Sequence, residues 1–249
     1  MTQPIALVTG SSRGIGAATA IRLARAGFAI CINYRHNSQA AEAVAESIRE
    51  LGVPCLSVQA DVSSEAEVER LFQEIDGQAG QLAVLVNNAA IIKPQSPLTG
   101  ISAERINSLL IANVTSTLLC SREAVKRMST ASGGAGGTII NVSSIAARTG
   151  SPNEYTDYAA TKGAIDTFTR GLALEVANQG IRVNGVRPGL IYTDIHADGG
   201  EPGRVDRLSA RIPLGRGGQV DEIADAIAWL ASDQSSYVTG TLVDVDGGL

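Results

Sequence analysis

The run Thr9-Gly10-Ser11-Ser12-Arg13-Gly14-Ile15-Gly16 follows the short apolar segment Ile5–Thr9 and opens Ile15–Ala26, where apolar residues return at helical spacing. A short apolar run bounded by a glycine turn reads as a strand buried on both faces. Glycine accepts the positive φ that a sharp strand-to-helix reversal needs. Having no Cβ, it also lets backbone come close to a neighbouring group. Strand, glycine turn and helix at the head of the chain make one βα unit.

The rest of the sequence repeats that unit. Ala29–Asn33, Cys55–Ala60, Ala83–Asn87, Thr138–Val142, Arg182–Val186 and Leu242–Val245 are further strand candidates. Between them, Ser38–Leu51, Glu65–Gln78, Ala103–Met128, Tyr158–Asn178 and Val220–Ala231 carry helical periodicity. Regular β-α-β alternation implies right-handed crossovers and an α/β Rossmann fold: a doubly wound, seven-stranded parallel sheet with helices on both faces. No composition break marks a linker, so residues 1–249 are expected to form a single domain. Residues 1–150 would serve mainly a cofactor, and residues 138–249 catalysis and substrate. Two stretches interrupt the rhythm. Ser132–Gly137 reads as a mobile glycine-rich loop. Thr193–Leu214 is long enough that a functional role, such as a lid, is expected.

The bulk numbers narrow the function. A net charge of −5 and a pI near 5.1 argue against a nucleic-acid or anionic-membrane surface. Cys31, Cys55 and Cys120 are widely spaced, and His36 and His196 are isolated, so no metal-ligand pattern is present. Reduced thiols, no signal-like leader and no membrane-length apolar run point to the cytoplasm. Trp229 is read as core, Glu222 and Asp225 as solvated helix charges, and Asp244 and Asp246 as strand-end caps.

At the first βα turn, Gly10 makes the turn off the strand, while Gly14 and Gly16 admit a pyrophosphate and close helix packing. The helix N-terminus then turns unpaired N–H groups and a positive dipole end toward the phosphates. A glycine triplet alone recurs in many βα units; the strand before, helix after and N-terminal position give this one its meaning. An NAD site usually offers an acid after the second strand, to bond the ribose hydroxyls. Here Asn33-Tyr34-Arg35-His36-Asn37 has none. Arg35 with Arg13 can clamp a 2′-phosphate, which favours NADP(H) over NAD(H); the alternative is that both arginines simply face solvent.

Ser143-Ser144 closes the fifth strand, and Tyr158 and Lys162 stand four apart on the following helix, on one face. A phenol titrates near ~10 in isolation, too high for a neutral-pH base. An ammonium one turn away favours the phenolate and brings the group toward the useful range. The spacing Y-x-x-x-K is common by chance; the strand-end serines and the N-terminal turn make it specific.

With those residues in hand, the chain resembles the short-chain dehydrogenase/reductase family over essentially its whole length. The resemblance rests on T-G-x-x-x-G-x-G at Thr9–Gly16, Asp61-Val62, N-N-A-A at Asn87–Ala90, and Asn113. Ser144 with Tyr158 and Lys162, and Arg187-Pro188-Gly189 followed by Thr193, complete it. It implies hydride transfer between a nicotinamide and an alcohol or carbonyl. Tyr158 would be the general acid/base. Ser144, preferred to Ser143, would orient the substrate oxygen, and Lys162 would depress the tyrosine pKa and hold the ribose. Asn113 would position a water that links Lys162 to solvent. Gly10, Ser12, Arg13, Gly14, Ile15, Gly16 and Arg35 would meet the cofactor phosphates. Asp61 and Val62 would meet the adenine, and Asn88, Ala89 and Ala90 the ribose and nicotinamide. Pro188, Gly189, Ile191 and Thr193 would grip the carboxamide. Ala90 stands where glycine is commoner, and Ser151–Asp157 is one residue longer than the usual spacing. Tyr155 is a decoy, because Ala159 stands four residues on. A homotetramer is also implied.

The resemblance does not name the substrate. It is general to sugar dehydrogenases of the glucose 1-dehydrogenase kind and to 3-oxoacyl carrier-protein reductases. Leu174 stands where the latter often carry an arginine, which favours a small polar carbonyl or polyol. A cofactor-binding regulator without turnover is the reading from another class.

Overall fold

The computed structural model describes residues 3–249. Strands β1 (Ile5–Val8), β2 (Ala29–Tyr34), β3 (Cys55–Gln59), β4 (Leu82–Asn87), β5 (Gly137–Val142), β6 (Ile181–Pro188) and β7 (Leu242–Val245) form one sheet. Its order is β3-β2-β1-β4-β5-β6-β7, and every pair is parallel. The major helices are α1 (Gly14–Arg25), α2 (Ser38–Arg49), α3 (Glu65–Asp76), α4 (Ala103–Leu110), α5 (Ser116–Met128), the single-turn α6 (Ala146–Thr149) and α7 (Thr156–Val176). Two short helices, α8 (Ile195–Asp198) and α9 (Arg204–Leu208), precede α10 (Val220–Ala231).

Strand alternation sorts the core into two layers. Ala6 and Val8 on β1 face α1, α2 and α10, where Leu23, Ile48, Ile223 and Ile227 are buried. Ile5 and Leu7 face the other way, toward α3, α5 and α7, against Leu71, Phe72, Met128 and Val176. Each such aliphatic or aromatic side chain contributes roughly 1.5–3 kcal/mol by leaving water. The sheet order reverses between β1 and β4, so their carboxyl ends part there and open a crevice.

Five expectations are corrected. The expected helix Ala103–Met128 is interrupted at Ile111–Thr115 by a π turn, an extra residue that periodicity does not reveal. The Ser132–Gly137 loop is tied down: Gly136 has φ +82°, and a Cβ there would lie 2.5 Å from the Gly180 carbonyl oxygen. Its glycines answer to close packing, and Gly137 already belongs to β5. Helix α7 begins two residues early, at Thr156, because the preceding loop turns through positive φ at Ser151 and Asn153. Trp229 is 39% exposed. Two positions beyond buried Ile227, it sits on the opposite side of α10. Asp244 lies within β7 and pairs with Arg187 and Arg148, while Asp246 accepts the Gly248 amide.

Candidate active site

The sequence-selected residues stand at the carboxyl ends of successive strands. Arg35 follows β2, Asp61 follows β3, Gly10 follows β1, Asn88 follows β4, Ser144 follows β5 and Pro188 ends β6. The first turn is held by neutral bonds. The Gly10 amide donates to Asn33 Oδ1 at 3.2 Å, and Asn33 Nδ2 reaches the Ala60 carbonyl at 3.0 Å. Asn88 Nδ2 donates to the carbonyls of Thr9 and Gly10 at 2.9 and 3.1 Å, while Thr9 Oγ1 accepts the amides of Asn88 and Ala89 at 3.0 Å each. Three strand ends are thereby pinned to one turn.

The glycines fit a phosphate cradle. A Cβ on Gly16 would lie 2.5 Å from Asn88 Nδ2 and 2.6 Å from the Gly10 carbonyl oxygen, so no larger residue enters. Gly14 has φ +57°, and a Cβ there would meet nothing nearer than Thr193 at 3.8 Å. The room above the turn is open. Helix α1 has no side-chain cap and no acid in its first turn, which leaves its leading N–H groups for an anion. A nicotinamide dinucleotide fits this donor set.

Both arginines selected for a 2′-phosphate hold carboxylates. Arg13 Nη2 lies 2.5 Å from Asp198 of α8 and its Nη1 3.7 Å from Asp194; Arg35 Nη2 lies 2.9 Å from Asp61. Burial raises the Asp61 pKa, but the Ser63 hydroxyl and amide, with Arg35 and His36 beside it, outweigh that and hold it below the usual carboxylate range. Val62 is buried in the core beneath.

A cavity of about 450 Å³ opens at the β4–β5–β6 end. Ile15, Asn88, Ala90, Ser144, Tyr158, Lys162, Pro188, Gly189, Ile191 and Thr193 all border it. Gly10, Ser12, Arg13, Gly14, Gly16, Arg35, Asp61, Val62, Ala89 and Asn113 do not; apart from Asn113 they lie along the crevice toward β3 or under its floor.

The two serines separate cleanly. Ser143 is 2% exposed and its Oγ donates to Asp166 Oδ1 at 2.6 Å, so it turns into α7. Ser144 Oγ accepts the Ala146 amide at 3.1 Å and stands beside the Tyr158 phenol, where it favours the phenolate. Burial pushes Tyr158 up to about 12, opposed by Ser144. Burial likewise drives Lys162 down to about 8, opposed by Asp166. Lys162 Nζ sits 5.6 Å from the Tyr158 ring centre and donates to the Val142 carbonyl at 2.8 Å. Desolvation of both groups thus outweighs the expected depression of the phenol by the ammonium.

Asn113 lies in the π turn, 1% exposed. Its side chain exchanges two bonds with the Ile91 backbone, at 2.8 and 3.0 Å, and donates to Thr161 Oγ1 at 3.2 Å. The side chain is therefore a brace between the β4 loop and α7, and its backbone carbonyl accepts the Thr117 hydroxyl at 3.2 Å.

The 193–214 stretch expected as a lid gives the cavity part of its outer wall, and Glu154, Tyr155 and Leu249, which sequence reading did not select, give the rest. Glu154, Tyr155, Arg204, Leu208, Arg211 and the terminal Leu249 border it. Arg204 is only 8% exposed, ion-pairs with Glu154 and Glu201, and lies over the Tyr155 ring at 5.0 Å. The Tyr155 hydroxyl donates to the Gly199 carbonyl at 3.2 Å. No local pattern links Glu154 and Tyr155 to residues some 50 positions further on; the length of the 193–214 stretch was the signal for its own part. His196 borders the cavity too, its ring Nε2 2.9 Å from the Ile191 carbonyl oxygen, with burial keeping its pKa low. Among the described residues no cluster suited to a metal ion occurs, and no helix is long and apolar enough to cross a membrane.

A Rossmann crevice with a serine, tyrosine and lysine on one cavity defines a class, and comparison with known proteins agrees. A family profile described as Enoyl-(Acyl carrier protein) reductase matches residues 10–249. The chain is 57% identical over 244 residues to the uncharacterized oxidoreductase YgfF of Escherichia coli K12, covering 98% of this chain and 99% of that one. It is 37% identical over 244 residues to the 3-oxoacyl-[acyl-carrier-protein] reductase FabG of Staphylococcus aureus, covering 98% and 97%. A solved short-chain type dehydrogenase/reductase from Mycobacterium marinum superposes with a TM-score of 0.91 at 32% identity, covering 99% and 95%. The chain belongs to the short-chain dehydrogenase/reductase family and is an oxidoreductase acting on alcohol or carbonyl groups, with a nicotinamide cofactor.

Proposed function

We propose that this enzyme uses NADP(H) to interconvert a small polar carbonyl compound and its secondary alcohol, with Tyr158 as general acid/base. The observation that carries this reading is Ser144, Tyr158 and Lys162 on the wall of one cavity, beside Pro188 to Thr193. In reduction, the Tyr158 phenol donates its proton to the substrate oxygen as Ser144 Oγ holds that oxygen. When bound, the nicotinamide supplies or accepts the hydride. Lys162 carries positive charge next to the tyrosine and would hold the nicotinamide ribose of a bound cofactor. The Asn113 backbone holds the water that returns the proton from solvent. In this reading residues 1–150 serve mainly the cofactor, and residues 138–249 the chemistry and the lid.

Magnitudes support NADP(H) over NAD(H). Arg13 and Arg35 each hold a carboxylate with a half-exposed side chain, and exposed ion pairs are worth ~0–1 kcal/mol. A charge-assisted bond to phosphate contributes about 1.5–3 kcal/mol, enough to draw the guanidinium away. No carboxylate ends β2 to favour NAD. Fluorescence titration with NADPH and NADH side by side tests this, and equal or tighter NADH binding sinks the clamp.

The polar outer wall, with Glu154, Arg204 and His196, supports a substrate bearing hydroxyl or other polar groups. Likeness to FabG keeps 3-oxoacyl carrier-protein reduction as a second reading. Against it, Leu174 is 73% exposed on α7, where a basic residue would meet an acidic carrier. Exposed Leu110, Ile111, Leu118 and Leu174 support a homotetramer, which light scattering would test. The free cysteines and the mild acidity suit a cytoplasmic protein. Replacing Tyr158 with Phe is the test of the whole reading. Turnover should fall by about 10²–10⁴ with NADPH binding kept; undiminished turnover refutes Tyr158 as the general acid/base.

A further inference from the structure

Asp166 sits four residues after Lys162, one turn further along the same face of α7. Its side chain is 15% exposed. One carboxylate oxygen accepts the Ser143 hydroxyl at 2.6 Å, and the other accepts Arg187 Nε at 2.8 Å. Ser143 is the chain neighbour of Ser144, and Arg187 the chain neighbour of Pro188. One carboxylate therefore touches the ends of β5 and β6 from the helix that carries Tyr158 and Lys162.

We propose that Asp166 is a positioning residue that registers Ser144, the Tyr158/Lys162 pair and the Pro188-Gly189 bend against one another, and that its negative charge supports the Lys162 ammonium. The inference rests on the catalytic reading above for its meaning, while its test does not depend on turnover.

Other bonds join these segments only in pairs: Ser143 Oγ lies 3.2 Å from the Lys162 carbonyl oxygen and Lys162 Nζ donates to the Val142 carbonyl, which ties β5 to α7. Strand pairing joins β5 to β6 through the Ser143 amide on the Val186 carbonyl and the Ile145 amide on the Pro188 carbonyl. Neither bond reaches α7. Asp166 brings β6 into that set, joining all three segments through one carboxylate with two charge-strengthened bonds at low exposure, where such bonds are strongest.

The electrostatics run the same way. Lys162 is buried, its ammonium bonded only to the Val142 carbonyl, and burial drives it toward the neutral amine. Asp166 opposes that drift. The charged groups around the carboxylate are Lys162 one turn back on α7, exposed Arg170 one turn on, and Arg187 on β6. Beyond Arg187, Asp244 on β7 bonds its Nη1 at 3.1 Å and pairs onward with Arg148 after β5. Removing Asp166 takes away the negative charge nearest Lys162 and leaves Arg187 less balanced, so both changes disfavour the ammonium. Removing Arg187 does the reverse.

The chain makes a direct test practical, because its lysines are Lys93, Lys126 and Lys162 alone. Protein grown with ¹³C,¹⁵N-lysine gives one side-chain signal for each, assigned by the Lys→Arg variants, and the Lys162 signal is followed against pH without cofactor or substrate. In Asp166→Asn its titration should move down by about one pH unit. In Arg187→Gln it should move up, a sign that loosened packing would not produce. The kcat of Asp166→Asn with NADPH should fall about tenfold while the NADPH Kd stays within twofold, whichever carbonyl of a small ketone and sugar panel is turned over. Ser143→Ala, which loosens the bracket and keeps the charge, should lower kcat and leave the Lys162 titration in place. An unmoved Lys162 titration in Asp166→Asn overturns the proposal, and so does an unmoved or downward one in Arg187→Gln if the Asn variant does not fold. If Tyr158→Phe retains full turnover, the catalytic reading fails instead, and the lysine titrations still report on Asp166.

Discussion

At the β1–β4 side of the crevice, the groups that fit a cofactor are held by neutral bonds between backbone and short polar side chains. At the α7–α9 side, the cavity wall is tied together by ion pairs. Thr9, Asn33 and Asn88 each serve several backbone groups and leave the glycine turn no freedom. Glu154, Arg204, Glu201 and Arg207 serve one another and fasten α9 to the loop before α7. Backbone chemistry is alike in every chain that adopts the turn, so that side suits a common cofactor. Side-chain charge can change residue by residue, so the far side is where substrates are told apart.

The sharpest way to break the contrast is Gly16→Ala. Its Cβ would press on the Asn88 amide and the Gly10 carbonyl, both locked by their own bonds. Overpacking of this kind costs about 1–3 kcal/mol, so thermal melting should drop by several degrees and NADPH should bind more than tenfold more weakly. Unchanged NADPH affinity would mean the turn is softer than its bonds suggest.

Arg204→Met acts on the other side. It removes a guanidinium that two carboxylates and an aromatic ring share, a loss of about 1.5–3 kcal/mol in charge-assisted bonding. Substrate KM should rise roughly tenfold, with trypsin cleaving sooner within residues 199–211 and NADPH affinity held within twofold. A matching fall in NADPH affinity would show that the two sides are one mechanical unit. The smallest effect belongs to Asp225→Ala, which breaks the exposed pair between α10 and Arg22 of α1. Stability measured by urea unfolding should change by no more than ~0.5 kcal/mol.

The same contrast explains what was legible in the chain. Strands and glycine turns repeat a local pattern, so β1 to β7 fell within a residue or two of expectation, and Ser144, Tyr158 and Lys162 met on one cavity. The failures were non-local. Trp229 stands outside the buried face of α10, and its size alone suggested core. The ion pairs of Arg13 and Arg35 with Asp198 and Asp61 join separate loops, and nothing near either arginine announces its partner. Arg204 and Glu154 lie on segments that only the folded sheet edge brings together. The order of influence on Tyr158 and Lys162 was also hidden, because burial is a property of the packed molecule.

The π turn at Ile111–Thr115 carries a consequence for the chain's history of insertions and deletions. One surplus residue in a helix shifts the angular phase of everything after it by about 100°. Helix α5 presents Cys120, Ala124 and Met128 to the core, and α4 presents Leu109. The π turn takes up the surplus residue in one widened turn, so the two faces keep the phase of a regular helix one residue shorter. Removing one amino acid there would yield a smoother helix with both faces still turned inward, and the loss would fall on Asn113 and its hold on Ile91. The irregularity works as a buffer for one residue of length, placed where it turns the Asn113 side chain to the β4 loop.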